Sequence, residues 1–348
     1  NFFGPGRCSG RLPARDRLRA VSWAAEGLTL GRALRHSRLA VAPGGPETVA
    51  ATARSLAVVL LSMASGAAVA RRPAGSAPET SGKKGSYKSV AELWSAEVCG
   101  DEEKRKSWYA KGTDYWQQQE ASIAGVLGGY TETHEPDIRE SKRFVQLLRK
   151  SGSLRMPRGT GDALDCGAGI GRVTMALLRE EFGSIDLVEP NERLLEQARK
   201  EFGSDAHARR FIAAPLQQMD IEPASYDVIW IQWVLLYLPD DDLIAFLLRC
   251  KKGLRKDGLI CVKENVVLNG DFVIDREDNS VSRADGEYKS VFEQAGLVVE
   301  HELKQTCWPT DLFPVKMYAL RPKGAESAAA PAGPAVVRKR PASAQQGA

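Results

Sequence analysis

A chain of 348 residues with a formal charge of +4 and six cysteines can hold one or two domains and is too long to be a small disulfide-stapled scaffold. The charge is unevenly spread. Residues 1–78 hold eleven arginines, no lysine and three acids (Asp16, Glu26, Glu47), and residues 323–348 hold four basic residues against one acid, so residues 79–322 carry −7. The total suggests a nucleic-acid binder, but the basic charge sits in the ends, and an acidic centre suits a cationic partner better.

Neither end has the periodicity needed to bury a core, and both read as disordered: residues 1–78 by their Arg/Ala/Gly/Pro composition, residues 323–348 by their Ala/Pro/Gly composition. Residues 56–70 form an apolar run preceded by Arg54, with Ala68 and Ala70 in Ala-x-Ala spacing. That fits a secretory h-region; the Arg-rich, acid-poor surroundings equally fit an organellar transit peptide, and a low-complexity stretch without any address is the plain alternative. The run is too short to span a bilayer. Cys8, Cys99, Cys166, Cys250, Cys261 and Cys307 show no CxxC spacing and no clustering with the four histidines, which argues against a zinc site or a disulfide framework. Cys166, Cys250 and Cys261 have apolar neighbours and read as core residues. Reduced thiols suit a cytoplasmic or nuclear location.

Residues 79–322 are then the folded domain, with a helical cap and lid over 79–135 and an α/β core over 136–322. Residues 87–119 read as helical, with Val90, Leu93, Trp94, Val98, Trp108, Tyr115 and Trp116 among charges, and the aromatics read as packing more than as ligand contacts. GVLGGY (125–130) reads as a flexible cover. Pro136 precedes a helix with Phe144, Leu147 and Leu148 on one face. LDCGAGIG (164–171) is a strand running into a glycine turn, followed by helical spacing of Val173, Leu177 and Leu178. Residues 185–189 form a second strand ending in an acid, and Asn191 caps the next helix. A weak third strand covers 210–213. YDVIWIQW (226–233) has the continuous apolar character of a strand buried on both faces. An amphipathic helix spans 240–256, a fifth strand 258–264, a polar loop 265–283 and a helix about 288–295, and strands at 297–304 and 315–321 close the domain. This alternation predicts a doubly wound, mainly parallel, Rossmann-like sheet of seven strands with ligands at the carboxyl ends of its strands.

Glycine at 167, 169 and 171 lets backbone approach a ligand and aims helix N–H groups at it. A dinucleotide would want G-x-G-x-x-G around its pyrophosphate. Here Asp165 sits just before the first glycine, where an acid serves the cationic amine of S-adenosylmethionine better than a phosphate. Glu189 can accept ribose hydroxyls in either class and does not discriminate. S-adenosylmethionine is the favoured cofactor, a nicotinamide enzyme the alternative, and no metal is expected.

GVLGGY, ALDCGAGIGR, SYDVIWIQWV and LICVKEN, in that order, resemble the α-N-terminal protein methyltransferases, which modify the exposed amino terminus of proteins beginning X-Pro-Lys or X-Pro-Arg. The likeness runs from about Ser107 to Pro322. It implies cofactor contacts at Asp165, Gly167, Gly169, Arg172, Glu189, Leu216, Gln217 and Gln232. On the substrate side it implies Leu127 and Tyr130 as a lid, Trp116 and Trp233 as walls around proline, and Asp275, Asp278 and Ser280 for the amine and the third-residue cation. Asp278 would be the base and Asn265 its orienting partner. Tyr237 stands where relatives have histidine, and Phe313 where tyrosine is common; a tyrosine with its ordinary pKa near 10 is a poor base at neutral pH. Either Asp278 and solvent suffice, or Tyr237 only orients and activity is slower or peaks at higher pH; a catalytically weak reader of such N-termini and a methyltransferase acting on another amine are the alternatives. A monomer is expected, with protein substrates and without nucleic-acid or membrane partners.

Overall fold

Strands that are apolar on both sides can be buried only if helices cover both faces of their sheet. The computed structural model describes residues 87–268 and 272–324; the expectations for residues 1–78, and for the tail from residue 325 onward, lie outside the described residues. Seven strands, β1 (Asp162–Cys166), β2 (Ser184–Val188), β3 (Ala208–Ile212), β4 (Tyr226–Gln232), β5 (Leu254–Asn265), β8 (Leu297–Lys304) and β9 (Val315–Pro322), form one sheet in the order β3-β2-β1-β4-β5-β9-β8. Its first five strands pair in parallel, and β9 runs antiparallel to both β5 and β8. The expected doubly wound sheet of seven strands is the one observed.

One face is covered by α5 (Asp240–Gly253) and α6 (Asp285–Gln294), which bring Phe246, Leu247, Cys250, Tyr288 and Phe292 onto Ile229, Ile231 and Ile260. On the other, α3 (His134–Lys150) and α4 (Glu192–Phe202) pack Phe144, Leu148, Leu195 and Phe202 against Ile185, Leu187 and Trp230. Local chemistry sets the helix ends. Asn191 Oδ1 accepts from the N–H groups of Arg193 and Leu194 at the start of α4, and α5 opens with three aspartates and ends with Lys251 and Lys252, complementing its dipole.

Several boundaries differ from those expected. The leading helical segment is two helices, α1 (Val90–Glu97) and α2 (Glu102–Gln118), because Gly100 turns the chain at φ 71° and Asp101 caps the second. Helix α3 starts two residues before Pro136, which occupies its first turn, where a missing N–H costs no helical bond. The covering loop contains a helical turn, Ile123–Val126, held by the Ser122 hydroxyl accepting from Gly125 N–H. β3 begins at Ala208, and α5 stops at Gly253 with β5 following directly. The polar loop 265–283 contains a hairpin of β6 (Val273–Asp275) and β7 (Ser280–Ser282). Its Ile274 and Val281 complete a cluster with Val90, Leu93, Trp94, Val98 and Trp108, so two of the cap tryptophans are indeed core.

Gly171 closes the glycine turn at φ 76°, and a Cβ there would sit 2.8 Å from Phe202 and 3.3 Å from Leu187. Left-handed backbone and an overfilled helix–sheet contact act together, so Gly171→Ala should cost about 2 kcal/mol or more. Urea unfolding of the variant checks this; an unchanged midpoint would show that the turn relaxes freely.

Candidate active site

All seventeen site positions singled out in the sequence line one cavity of about 450 Å³ at the carboxyl ends of the parallel strands, where ligands of open α/β sheets bind. It begins at the glycine turn after β1. Gly167 has φ 72° and a Cβ there would lie 2.8 Å from Val234, while Gly169 has φ 56°, so both positions of the turn call for glycine. Asp165 is buried beneath it and accepts from the Thr174 hydroxyl at 2.5 Å. Glu189, just past β2, accepts from Gly169 N–H at 3.0 Å through one oxygen and Asn191 N–H at 2.9 Å through the other. Burial pushes Asp165 up to about 6 and Glu189 up to about 7. Opposite, the carbonyls of Leu216 and Gln217 accept from Arg249 Nη2 at 2.9 and 3.1 Å, fixing that wall.

Arg172, just past the glycine turn, is held inside the fold. It is 8% exposed, pairs with Asp137 at 2.7 Å and places its guanidinium 5.5 Å from the Trp233 ring centroid. Gln232 donates to both oxygens of Asp137 at 2.9 and 3.0 Å and accepts from Trp230 Nε1. Asp137 and its second partner, Lys263, were not singled out in the sequence, although Asp137 lies at helical spacing with the buried Ser141, Phe144 and Leu148, and Lys263 interrupts an apolar strand.

The substrate side begins where β4 turns sharply. Trp233 has φ 53°, a left-handed conformation costing about 1–3 kcal/mol for a bulky residue. Three contacts hold it: Trp233 N–H donates to the Lys263 carbonyl at 3.0 Å, and Val234 and Leu235 N–H both donate to Glu264 Oε1 at 2.8 Å. The turn aims Trp233 into the cavity beside Trp308, whose ring centroid is 6.0 Å away. Four residues on, Tyr237 donates its hydroxyl to Asp278 Oδ2 at 2.9 Å and accepts from Trp116 Nε1 at 2.9 Å. Ser280 N–H donates to Asp278 Oδ1 at 3.0 Å. Burial, with Asp278 beside it, drives the Tyr237 phenol well above its usual range, and burial raises Asp278. Leu127, Tyr130, Asn265 and Asp275 complete the wall, with Asp311 and Phe313 as further lining residues.

The residues present fit S-adenosylmethionine: a glycine-rich cradle, a Glu189 carboxylate at the second strand end and an oppositely charged pair, Asp165 and Arg172, for an amino-acid group. Strand order, glycine turn and these acids define the class, a methyltransferase using S-adenosylmethionine. The family described as AdoMet dependent proline di-methyltransferase matches residues 104–321, and the chain belongs to it. A relative from Oryza sativa subsp. japonica, Alpha N-terminal protein methyltransferase 1, is 44% identical over 237 residues, covering 64% of this chain and 76% of the relative. The Bos taurus N-terminal Xaa-Pro-Lys N-methyltransferase 1 is 40% identical over 227 residues, covering 65% and 99%. The solved structure of a SAM-dependent methyltransferase from Leishmania major superposes with a TM-score of 0.61 at 41% identity, covering 68% of this chain and 92% of that one.

Glu264 is completely buried, and burial pushes its carboxyl up to about 8, above the usual range near 4.5. A carboxyl raised on folding contributes stability that is present below the unfolded pKa and is lost as pH rises through the folded one. Glu264→Gln keeps a carbonyl for Val234 and Leu235 N–H. It should therefore flatten the decline in thermal stability between about pH 4.5 and 8; an identical slope in both proteins would contradict this.

Proposed function

We propose that the protein methylates the α-amine of proteins exposing Xaa-Pro-Lys or Xaa-Pro-Arg at their N-terminus. The observation that carries this is that Trp116, Trp233, Asp275 and Asp278 line the same cavity as the cofactor residues. Indole faces suit a proline ring, and the carboxylates suit an N-terminal amine and a third-residue cation. The relatives named N-terminal Xaa-Pro-Lys N-methyltransferase support the same substrate.

S-adenosylmethionine supplies an electrophilic methyl on a sulfonium. The chain must present an unprotonated amine to it, and an α-amino group of pKa about 7.7–8.0 arrives mostly protonated. Asp278, raised by burial, takes that proton as general base. Tyr237 is a positioning residue: its phenol keeps its own proton and donates it to Oδ2, so Asp278 stays aimed at the slot. Asn265, at the end of β5, orients the amine, and Asp275 and Ser280 hold the third-residue cation. Leu127 and Tyr130 exclude water, and holding amine and methyl in line supplies much of the rate. The free cysteines among the described residues suit a reducing cytoplasmic or nuclear compartment.

Incubation of the full chain with cofactor and an Ala-Pro-Lys peptide should add methyl groups to the α-amine, seen by mass spectrometry. Methylation of free small amines with an untouched peptide would sink the proposal, and peptide binding without product would reduce the protein to a reader. Asp278→Asn should lower turnover by about 10²-fold or more while S-adenosylhomocysteine binds within about twofold of the wild type, since Asp278 contacts the amine rather than the cofactor. Tyr237→Phe should lower kcat by about tenfold, the loss of one hydrogen bond of about 1.4 kcal/mol, and shift the acid limb of the rate profile; a profile identical to the wild type would remove its positioning role.

A further inference from the structure

Asp137 touches none of the reacting groups in the mechanism above, yet three donors converge on its fully buried carboxylate. Lys263 Nζ lies at 2.5 Å, Arg172 Nη1 at 2.7 Å and Gln232 Nε2 at 2.9 and 3.0 Å. Lys263, also fully buried, donates further to the Asp137 carbonyl at 3.0 Å and the Ser141 hydroxyl at 2.9 Å, so its ammonium is committed to α3. A buried ion pair gives little stability over an apolar replacement of similar volume. Stability alone therefore does not account for it. Of the groups it fixes, Arg172 and Gln232 line the cofactor cavity.

Burial lowers the Lys263 pKa, whereas the Arg172 guanidinium stays charged, so Arg172 is the cation that this cluster presents to the cavity. His134 Nδ1 is 3.3 Å from Arg172, and burial together with Arg172 holds the imidazole below its usual pKa and therefore uncharged near neutral pH. Glu140, which also faces Lys263, is occupied by Arg143 at 3.5 Å and the Thr306 hydroxyl at 3.0 Å. Asp165 sits on the other side of the glycine turn, bonded to Thr174. The cavity thus offers a cation and an anion separated by one turn, the complement of a zwitterionic amino-acid end.

Resting on the cofactor reading above, we propose that Asp137 and Lys263 are positioning residues that hold Arg172 and Gln232 as the anchor for the amino-acid carboxylate of S-adenosylmethionine, and so make that carboxylate a requirement for tight binding. Lys263 fixes Asp137 from behind. Asp137 orients Arg172 in front, and the same guanidinium abuts Trp233, so the anchor also borders the substrate slot.

Calorimetric titration of the full chain with S-adenosylhomocysteine and with 5′-methylthioadenosine, which keeps the adenosine and thioether but lacks the amino-acid end, tests this. The wild type should strongly prefer S-adenosylhomocysteine. In Asp137→Asn that preference should fall by about tenfold or more, an effect of about 1.4 kcal/mol, with methylthioadenosine affinity within about twofold of the wild type. If the single variant fails to fold because Lys263 is left unpaired, the double variant Asp137→Asn with Lys263→Met removes the orphaned charge and should show the same loss. Equal weakening of both ligands would mean a merely structural role and overturn the inference, as would an unchanged preference. A wild type that binds both ligands equally also overturns it and leaves the cofactor reading standing; one that binds neither removes both.

Discussion

Consecutive residues of a strand point to opposite faces, and just before its last residue β5 carries two buried ionisable side chains in succession, Lys263 and Glu264. Lys263 reaches the α3 side and ties that helix to the sheet through Asp137. Glu264 reaches the α5 side and ties down the turn after β4 through Val234 and Leu235 N–H. The Lys263 carbonyl holds the Trp233 N–H between them. Isolated charges at such depth would cost several kcal/mol each. Lys263 avoids this by full hydrogen bonding, and Glu264 by retaining its proton. The cofactor wall and the substrate wall are consequently set by one dipeptide.

The substrate side adds a second convergence. Tyr237, on its own short 3₁₀ turn, joins Trp116 of α2 to Asp278 of the hairpin. Helix α2 lies close to both because Gly112 faces them: a Cβ there would be 3.1 Å from the Asp278 carbonyl and 3.4 Å from the Tyr237 ring. Trp108 donates to the Tyr237 carbonyl at 3.1 Å, adding a second tie from the same helix. Tyr237 thus places at this junction a phenol that keeps its proton.

Much of this was readable from residue order. Apolar runs separated by helical periodicity specified the sheet, glycine spacing specified where it binds, and Asp165 favoured S-adenosylmethionine, while Glu189 suited either cofactor class. The resemblance placed the substrate side, and every residue it named reached the same cavity. The omissions share a cause. Strands β6 and β7 are three residues each, too short for alternation to emerge from a polar segment, and their burial depends on a cap helix some 170 positions earlier in the chain. Asp137 and Lys263 look like ordinary surface charges until α3 is laid on β5, 126 residues apart. The break between α1 and α2 was local and legible, through Gly100 and Asp101, but the aromatic density on either side masked it.

The two acids at the cofactor cradle have a thermodynamic consequence. Burial holds Glu189 near 7 and Asp165 near 6, so around neutral pH the cradle carries a fractional proton. A ligand offering hydroxyl donors to one and an ammonium to the other stabilises both carboxylates, and that proton must leave as the ligand enters. Binding then becomes tighter as pH rises through this range, and its measured heat includes protonation of the buffer. Titrations in buffers of different ionisation enthalpy reveal the released proton as a slope; a flat dependence would mean that the acids are already ionised before the ligand arrives.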